Sequence, residues 1–278
     1  MSFDTDVKLD LRQILIESAT KTHELGTRGQ MEGGRVFRYA KAGATALVPY
    51  RLVSGPAETP FSTATDIAFY SAYAAGSTYV KIGGQATDTQ SATADSYADG
   101  WLLVFSTDTA YCQFASIHSH SALASSTALG SANDVWLKFP GLQKTVATDT
   151  SMVKLIRNPY GGVIVQAGGP ASVGAPRYPM GVPQFAVTAG YYFWLQTWGT
   201  TLIRGQGGGE ETTADKAGVL AILSTGDTGG FSAPSTGLAW DDTSSGHFAQ
   251  THLAPIGIIM TANPADNFYT LVNLTLAP

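Results

Sequence analysis

Short runs of β-branched, aromatic and aliphatic residues recur along this chain, each bounded by Gly, Pro, Asn, Asp or Ser. They fall at 67–73, 77–82, 100–105, 111–118, 134–139, 151–156, 162–167, 183–189, 191–198, 218–224, 255–261 and 268–276. That rhythm predicts an all-β chain of antiparallel β-sandwich or barrel-type domains. A helical turn within 212–223 is compatible with the pattern, but its Gly and β-branched residues argue against more. Gly33-Gly34 predicts a hairpin turn, because both positions tolerate positive φ. After it, Val36 and Arg38 point one way and Phe37 and Tyr39 the other.

The segment VKLDLRQILIE, residues 7–17, carries two periods at once. Leu11, Ile14 and Leu15 have helical spacing, whereas Val7, Leu9 and Leu11 alternate as in a strand. It reads as an N-terminal arm or a short helix. Docking on its own domain and docking on a neighbouring subunit both stay open. The Pro-, Ser- and Thr-rich stretch 54–66 reads as a connection. The organisation expected is an arm over 1–23, a main β domain over 24–53 plus 151–278, and a β-rich middle lobe over 54–150 that the pattern permits as an insertion.

The run YYFWLQTWG, residues 191–199, is the densest aromatic stretch. Extended, it puts Tyr191, Phe193, Leu195 and Thr197 on one face, which predicts core. Tyr192, Trp194, Gln196 and Trp198 share the other. Their phenol, indole and amide tips suit a second core layer, a subunit contact or a carbohydrate platform. Only Gln196 is at hand to bind sugar hydroxyls, so core or subunit contact is the better reading.

Composition narrows the function. Charged residues are 13% of the 278, against about 25% in an ordinary soluble domain. Gly, Ala, Ser and Thr take their place, which suits close packing against other protein. The net charge is −5 and no basic block stands out, so nucleic acid is not an expected partner. No apolar run is long enough for a membrane-spanning helix, so a membrane is not expected either. The first residues, MSFDTDVKLDLRQ, carry acids early, which predicts no signal peptide and synthesis in a cytoplasm. One cysteine excludes an intrachain disulfide.

Candidate chemistry is sparse. His118 and His120 form an H-x-H pair that would share one face of an unbroken strand, but no third ligand has a suggestive spacing. Cys112 sits in an apolar strand pattern and reads as a small core residue. GQGGGEE at 205–211 is Gly-rich, but its glutamates would repel a phosphate, so a hairpin loop is expected. Asp88, Asp95, Asp99, Asp241 and Asp242 form no carboxylate pair of the kind that glycosidases use. The expectation is no enzyme, no cofactor and no metal.

The order L-G-T-R…G-G-R-V-F-R-Y-A-K-A-G-A, Y-A-D-G-W-L-L-V, I-R-N-P-Y-G-G-V-I-V, V-T-A-G-Y-Y-F-W-L-Q-T-W-G and P-I-G-I-I-M…F-Y-T-L-V-N-L-T-L covers about residues 20–278. Taken together it resembles the virion structural proteins of tailed bacteriophages, in particular capsid decoration (cement) proteins. The resemblance implies a β-rich homodimer or homotrimer, without catalytic residues, on the outside of an icosahedral head. Its partner would be the major capsid protein, whose joints it would reinforce after synthesis in the host cytoplasm. Leu11, Ile14 and Leu15 of the arm and Tyr192, Trp194 and Trp198 of the aromatic strand are then the candidate interface residues. The alternative is a head-fibre or tail-associated protein that binds a receptor or glycan, with Trp194 or Trp198 exposed beside polar side chains.

Overall fold

The computed structural model describes residues 6–56, 67–83, 92–106, 112–123, 133–148, 151–166, 178–204, 220–223, 231–232, 255–261 and 269–277. Among these there is no α-helix, and one 3-10 turn, Gln13–Leu15. The protein is all-β, a closed six-stranded barrel and a second, eleven-stranded sheet. It divides into two units, residues 1–57 with 159–278, and residues 58–158.

The second unit is built from β5 (Ile67–Phe69), β6 (Tyr79–Gly83), β7 (Trp101–Ser106), β8 (Cys112–His120), β9 (Asn133–Leu137) and β10 (Ser151–Ile156). These close as a barrel in the order β10-β5-β6-β9-β8-β7, every pair antiparallel. Alternation sorts the side chains. Val80, Ile82, Leu102, Val104, Ala115, Ile117, Val135, Leu137, Val153 and Leu155 point inward and form one buried cluster. Ser151–Ile156 thus belongs to the barrel and not to the main domain that the sequence assigned it to. It pairs with β7 along its whole length and so closes the barrel.

The first unit holds β1 (Val7–Leu9), β2 (Arg28–Met31), β3 (Val36–Ala42), β4 (Val53–Ser54), β11 (Gly161–Val165), β12 (Pro179–Gly181), β13 (Tyr192–Arg204), β14 (Leu220–Leu223), β15 (Phe231–Ser232), β16 (Pro255–Ile259) and β17 (Tyr269–Thr275). They form one sheet in the order β12-β4-β11-β3-β13-β17-β16-β14-β15, with β1 and β2 attached beside β3. Next to β12, Val182 exchanges backbone bonds with Gln196 of β13, so the β12-β4-β11-β3-β13 part nearly closes on itself. The pairings β1–β2 and β11–β3 are parallel. Gly33 and Gly34 both have positive φ in the β2–β3 connection, as the turn signal requires.

Residues 183–189, expected as a strand, instead turn, with one isolated bridge between Val187 and Leu47. The segment 7–17 is strand and then a 3-10 turn, so its two sequence periods each describe half of it.

Candidate functional site

The aromatic strand β13 is the centre of the first unit. It pairs with β3 over Tyr192–Trp198 and with β17 over Trp198–Arg204. A bulge sits between Gln196 and Trp198. Just past it the Gln196 side-chain amide lies within hydrogen-bond reach of the carbonyls of Trp198, Gly199 and Thr200, at 3.1, 3.3 and 3.0 Å, and donates to this run of backbone. The face expected as core is core. Phe193 and Leu195 pack with Ala40, Ala42, Leu47, Val53, Val163 and Val187. Thr197 is buried and donates to Ala277 O at 2.6 Å.

The opposite face is also covered, by the chain's own N-terminal segment. Trp194 is 5% exposed and clusters with Leu9, Ile14, Phe37 and Tyr39. Its ring centroid lies 5.2 Å from Tyr39 and 5.2 Å from His23. Tyr192 stacks on Tyr39 at 5.9 Å, with Lys41 Nζ 5.3 Å above it. Ser18 exchanges backbone bonds with Tyr192, and the Glu17 carboxylate accepts from both N–H and hydroxyl of Thr188 at 2.6 Å. Asp6 pairs with Arg28. Gly29 makes the close approach possible, since a Cβ there would stand 2.5 Å from Leu9 Cδ1 and 2.8 Å from Trp194. Among described residues the arm therefore docks on its own unit.

This corrects two of the six candidate interface residues. Ile14 (1% exposed) and Trp194 are interior and have no surface to offer a partner. Tyr192 and Trp198 are half-buried. Leu11 and Leu15 stay exposed at 57% and 46%, and Ile16 joins them at 60%. Ile14 and Leu15 differ because the 3-10 turn points adjacent residues in different directions.

The H-x-H pair does not share a face. A bulge between Ile117 and Ser119 breaks the alternation, leaving His118 exposed and His120 buried. Cys112 is exposed on the outside of the barrel and is not the core residue expected. No group of three His, Cys, Asp or Glu side chains fit to hold a metal occurs among the described residues. Asp88, Asp241, Asp242 and the run 205–211 lie outside them.

What sequence reading missed is the outer surface of the barrel. The β8–β7–β10 register lines up Phe114, Leu103 and Lys154 in one row and Cys112, Phe105 and Met152 in the next. Phe114 is 59% and Met152 36% exposed, and Lys154 Nζ lies 5.9 Å over Phe105. Elsewhere on the barrel, Trp136 (40% exposed) stands opposite Tyr79 with ring centroids 5.8 Å apart. The Tyr79 hydroxyl donates to Asp134 Oδ1 at 2.6 Å, and this bond holds the phenol above its usual pKa. Lys81 Nζ lies 3.8 Å from the same carboxylate oxygen. In the first unit the outward side of β13, β17 and β16 carries Leu202, Ile258, Met260 and Tyr269, all exposed. A signal was available: in GWLLVF the polar half of the alternation is missing, and in CQFASIH Phe114 shares its face with the polar Ser116 and His118, so large apolar residues fall on the outer face of both strands.

The chain matches no family model, no curated protein and no solved structure.

Proposed function

We propose that this chain is a virion structural protein that binds the outer surface of a tailed-phage icosahedral capsid and stabilises contacts between major capsid subunits. It does so as a homodimer or homotrimer, on the capsid exterior, and without catalysis. The observation that carries the reading is the pair of apolar rows on the outside of the barrel, Phe114–Leu103 and Cys112–Phe105–Met152. An isolated antiparallel barrel has no use for exposed Phe and Met in cross-strand register, whereas a lattice contact does. The sparse charge supports the same reading, because a surface with few long charged side chains orders at low entropy cost when it packs. The ordered motifs of the cement-protein resemblance add the phage context.

The test is co-sedimentation of the purified protein with heads that lack it, together with its mass by sedimentation velocity. Stoichiometric binding and a defined oligomer are expected. Phe114→Ser should weaken head binding by about tenfold, the usual cost of truncating one aromatic anchor. A protein that stays monomeric and stays in the supernatant sinks the proposal.

The second reading, a head-fibre or tail-associated protein that binds a receptor or glycan, has one observation in its favour. Tyr79 and Trp136 form an exposed aromatic pair flanked by the Asp134 carboxylate and the Lys81 ammonium. Trp194 does not serve it, being buried. A glycan array with no hits, or hits that Trp136→Ala leaves unchanged, removes this reading.

A further inference from the structure

The segment Ala92–Gly100 is a strap that crosses to β8 and is held there by a short series of polar contacts. Ala92 and Leu123 exchange backbone bonds at 2.9 and 2.8 Å. Asp95 N–H donates to His120 O at 3.2 Å, and the Asp95 carboxylate accepts from His120 N–H at 2.9 Å. Asp99 N–H donates to Ile117 O, and Ile117 N–H to Gly100 O. Asp95 and Asp99 both have φ near 60°, so the strap is bent through two left-handed residues that these contacts hold in place.

The contact at the middle of the strap runs through a side chain. The His120 ring is buried, at 2% residue exposure. Its Nε2 lies 2.9 Å from Tyr97 N, and its Nδ1 lies 2.6 Å from Ser121 O. A backbone N–H can only donate and a carbonyl can only accept. The ring therefore carries its hydrogen on Nδ1 and a lone pair on Nε2, which is the neutral tautomer. A proton added at Nε2 would face the Tyr97 N–H, turning an acceptor into a second donor.

We propose that His120 is an acid-released latch: the neutral imidazole pins the Ala92–Gly100 strap to the barrel, and protonation at Nε2 frees it. The charged groups around the ring pull in both directions. Burial is the largest influence and lowers the imidazole pKa from 6.5. The Ser121 carbonyl and the Asp95 carboxylate raise it, and Arg157, whose guanidinium lies 5.1 Å over the Tyr97 ring, lowers it further. From β9, Asp134 faces this region through its backbone, its carbonyl accepting from Ser121 N–H. The Lys138–Asp99 ion pair at 2.9 Å closes the far end of the strap.

The sign follows from which state binds the proton. With the strap open, the imidazole is solvated and titrates near 6.5; latched, it titrates lower. Above pH 6.5 neither state is protonated and the latch contributes fully. As pH falls from there toward the folded value, the open state takes up the proton first and the latch is lost. One linked proton gives about a tenfold rise in the open population per pH unit across that window.

The experiment is native-state amide exchange on the whole chain between pH 7.5 and 5, corrected for the intrinsic rate. Protection at Tyr97 and its strap neighbours should fall about tenfold per unit below pH 6.5, while the β13 amides of the first unit show no matching step. His120→Gln, which cannot titrate, should abolish the slope. If that variant does not fold, the His120 ring titration by NMR, assigned through its contact with the Tyr97 ring, takes its place. A His120 pKa at or above 6.5, strap protection that stays flat to pH 5, or a slope that survives His120→Gln overturns the proposal.

Discussion

The two units bury their strands in different ways. In the barrel, every other residue points inward and the ones between face out, so Val80, Ile82, Val153 and Leu155 are interior while Lys81 and Lys154 are not. In the first unit, β13 is covered on both faces for its first half. Phe193, Trp194, Leu195, Gln196 and Thr197 are all buried in succession. Its second half returns to alternation, with Thr201 and Ile203 inside and Thr200 and Leu202 outside. A closed barrel of short strands needs only one core and leaves its outside free for contacts. A strand buried on both faces needs a second layer, and the arm that carries Leu9 and Ile14 supplies it. The consequence lies in what each strand can offer a partner: the first half of β13 is covered on both faces and offers nothing, whereas β7, β8 and β10 carry apolar side chains on an uncovered outer face.

The largest break in this comparison is Trp194→Ala. Removing a buried indole from the second layer should cost about 3–5 kcal/mol and undock the arm. Urea unfolding with a probe in the first unit measures it, and a loss below about 1 kcal/mol would mean that the second layer is not a core. Next is Gly29→Ala. The new methyl must displace Leu9 or Trp194 and should cost about 1–3 kcal/mol in the same assay. Ile14→Val should cost about 0.5–1.5 kcal/mol, whereas Leu15→Ser, one residue on, should be nearly silent. If Leu15→Ser is the costlier of the two, the docking of the arm is wrongly assigned.

Much of this was legible in the sequence. Runs bounded by turn residues gave the all-β class, because strand propensity and Gly, Asn, Asp and Pro punctuation are local properties. Tyr191, Phe193, Leu195 and Thr197 share a face for the same local reason. What was not legible depends on partners distant in the chain. Whether Trp194 meets solvent is decided by residues 7–23, which lie far away in sequence and carry an ambiguous period. The H-x-H pair failed through the bulge after Ile117, an insertion set by pairing with β9 that no spacing within 112–120 records. The membership of Ser151–Ile156 was missed because a strand's pattern does not name its neighbour, and only its register with β7 assigns it to the barrel. The exposed rows on the barrel were visible as missing alternation, but an apolar run bounded by turns reads equally as a strand buried on both faces. β13 is that case, and β7–β8 is not.

The smallest expected effect therefore discriminates best between the two kinds of strand. Phe114, between Gln113 and Ala115, and Phe193, between Tyr192 and Trp194, are both strand phenylalanines, yet one is 59% and the other 1% exposed. Phe193→Leu changes the shape of a packed core and should cost about 1 kcal/mol or more. Phe114→Ser should change the stability of the barrel by no more than about 0.5 kcal/mol, because its ring leaves water little on folding. The same substitution is the one expected to weaken head binding, so its two readouts separate. Unchanged stability with lost binding assigns Phe114 to a contact between molecules. A loss of stability of about 2 kcal/mol would instead mean that the face it stands on is covered within the folded chain, and the distinction between the two units would fail at that strand.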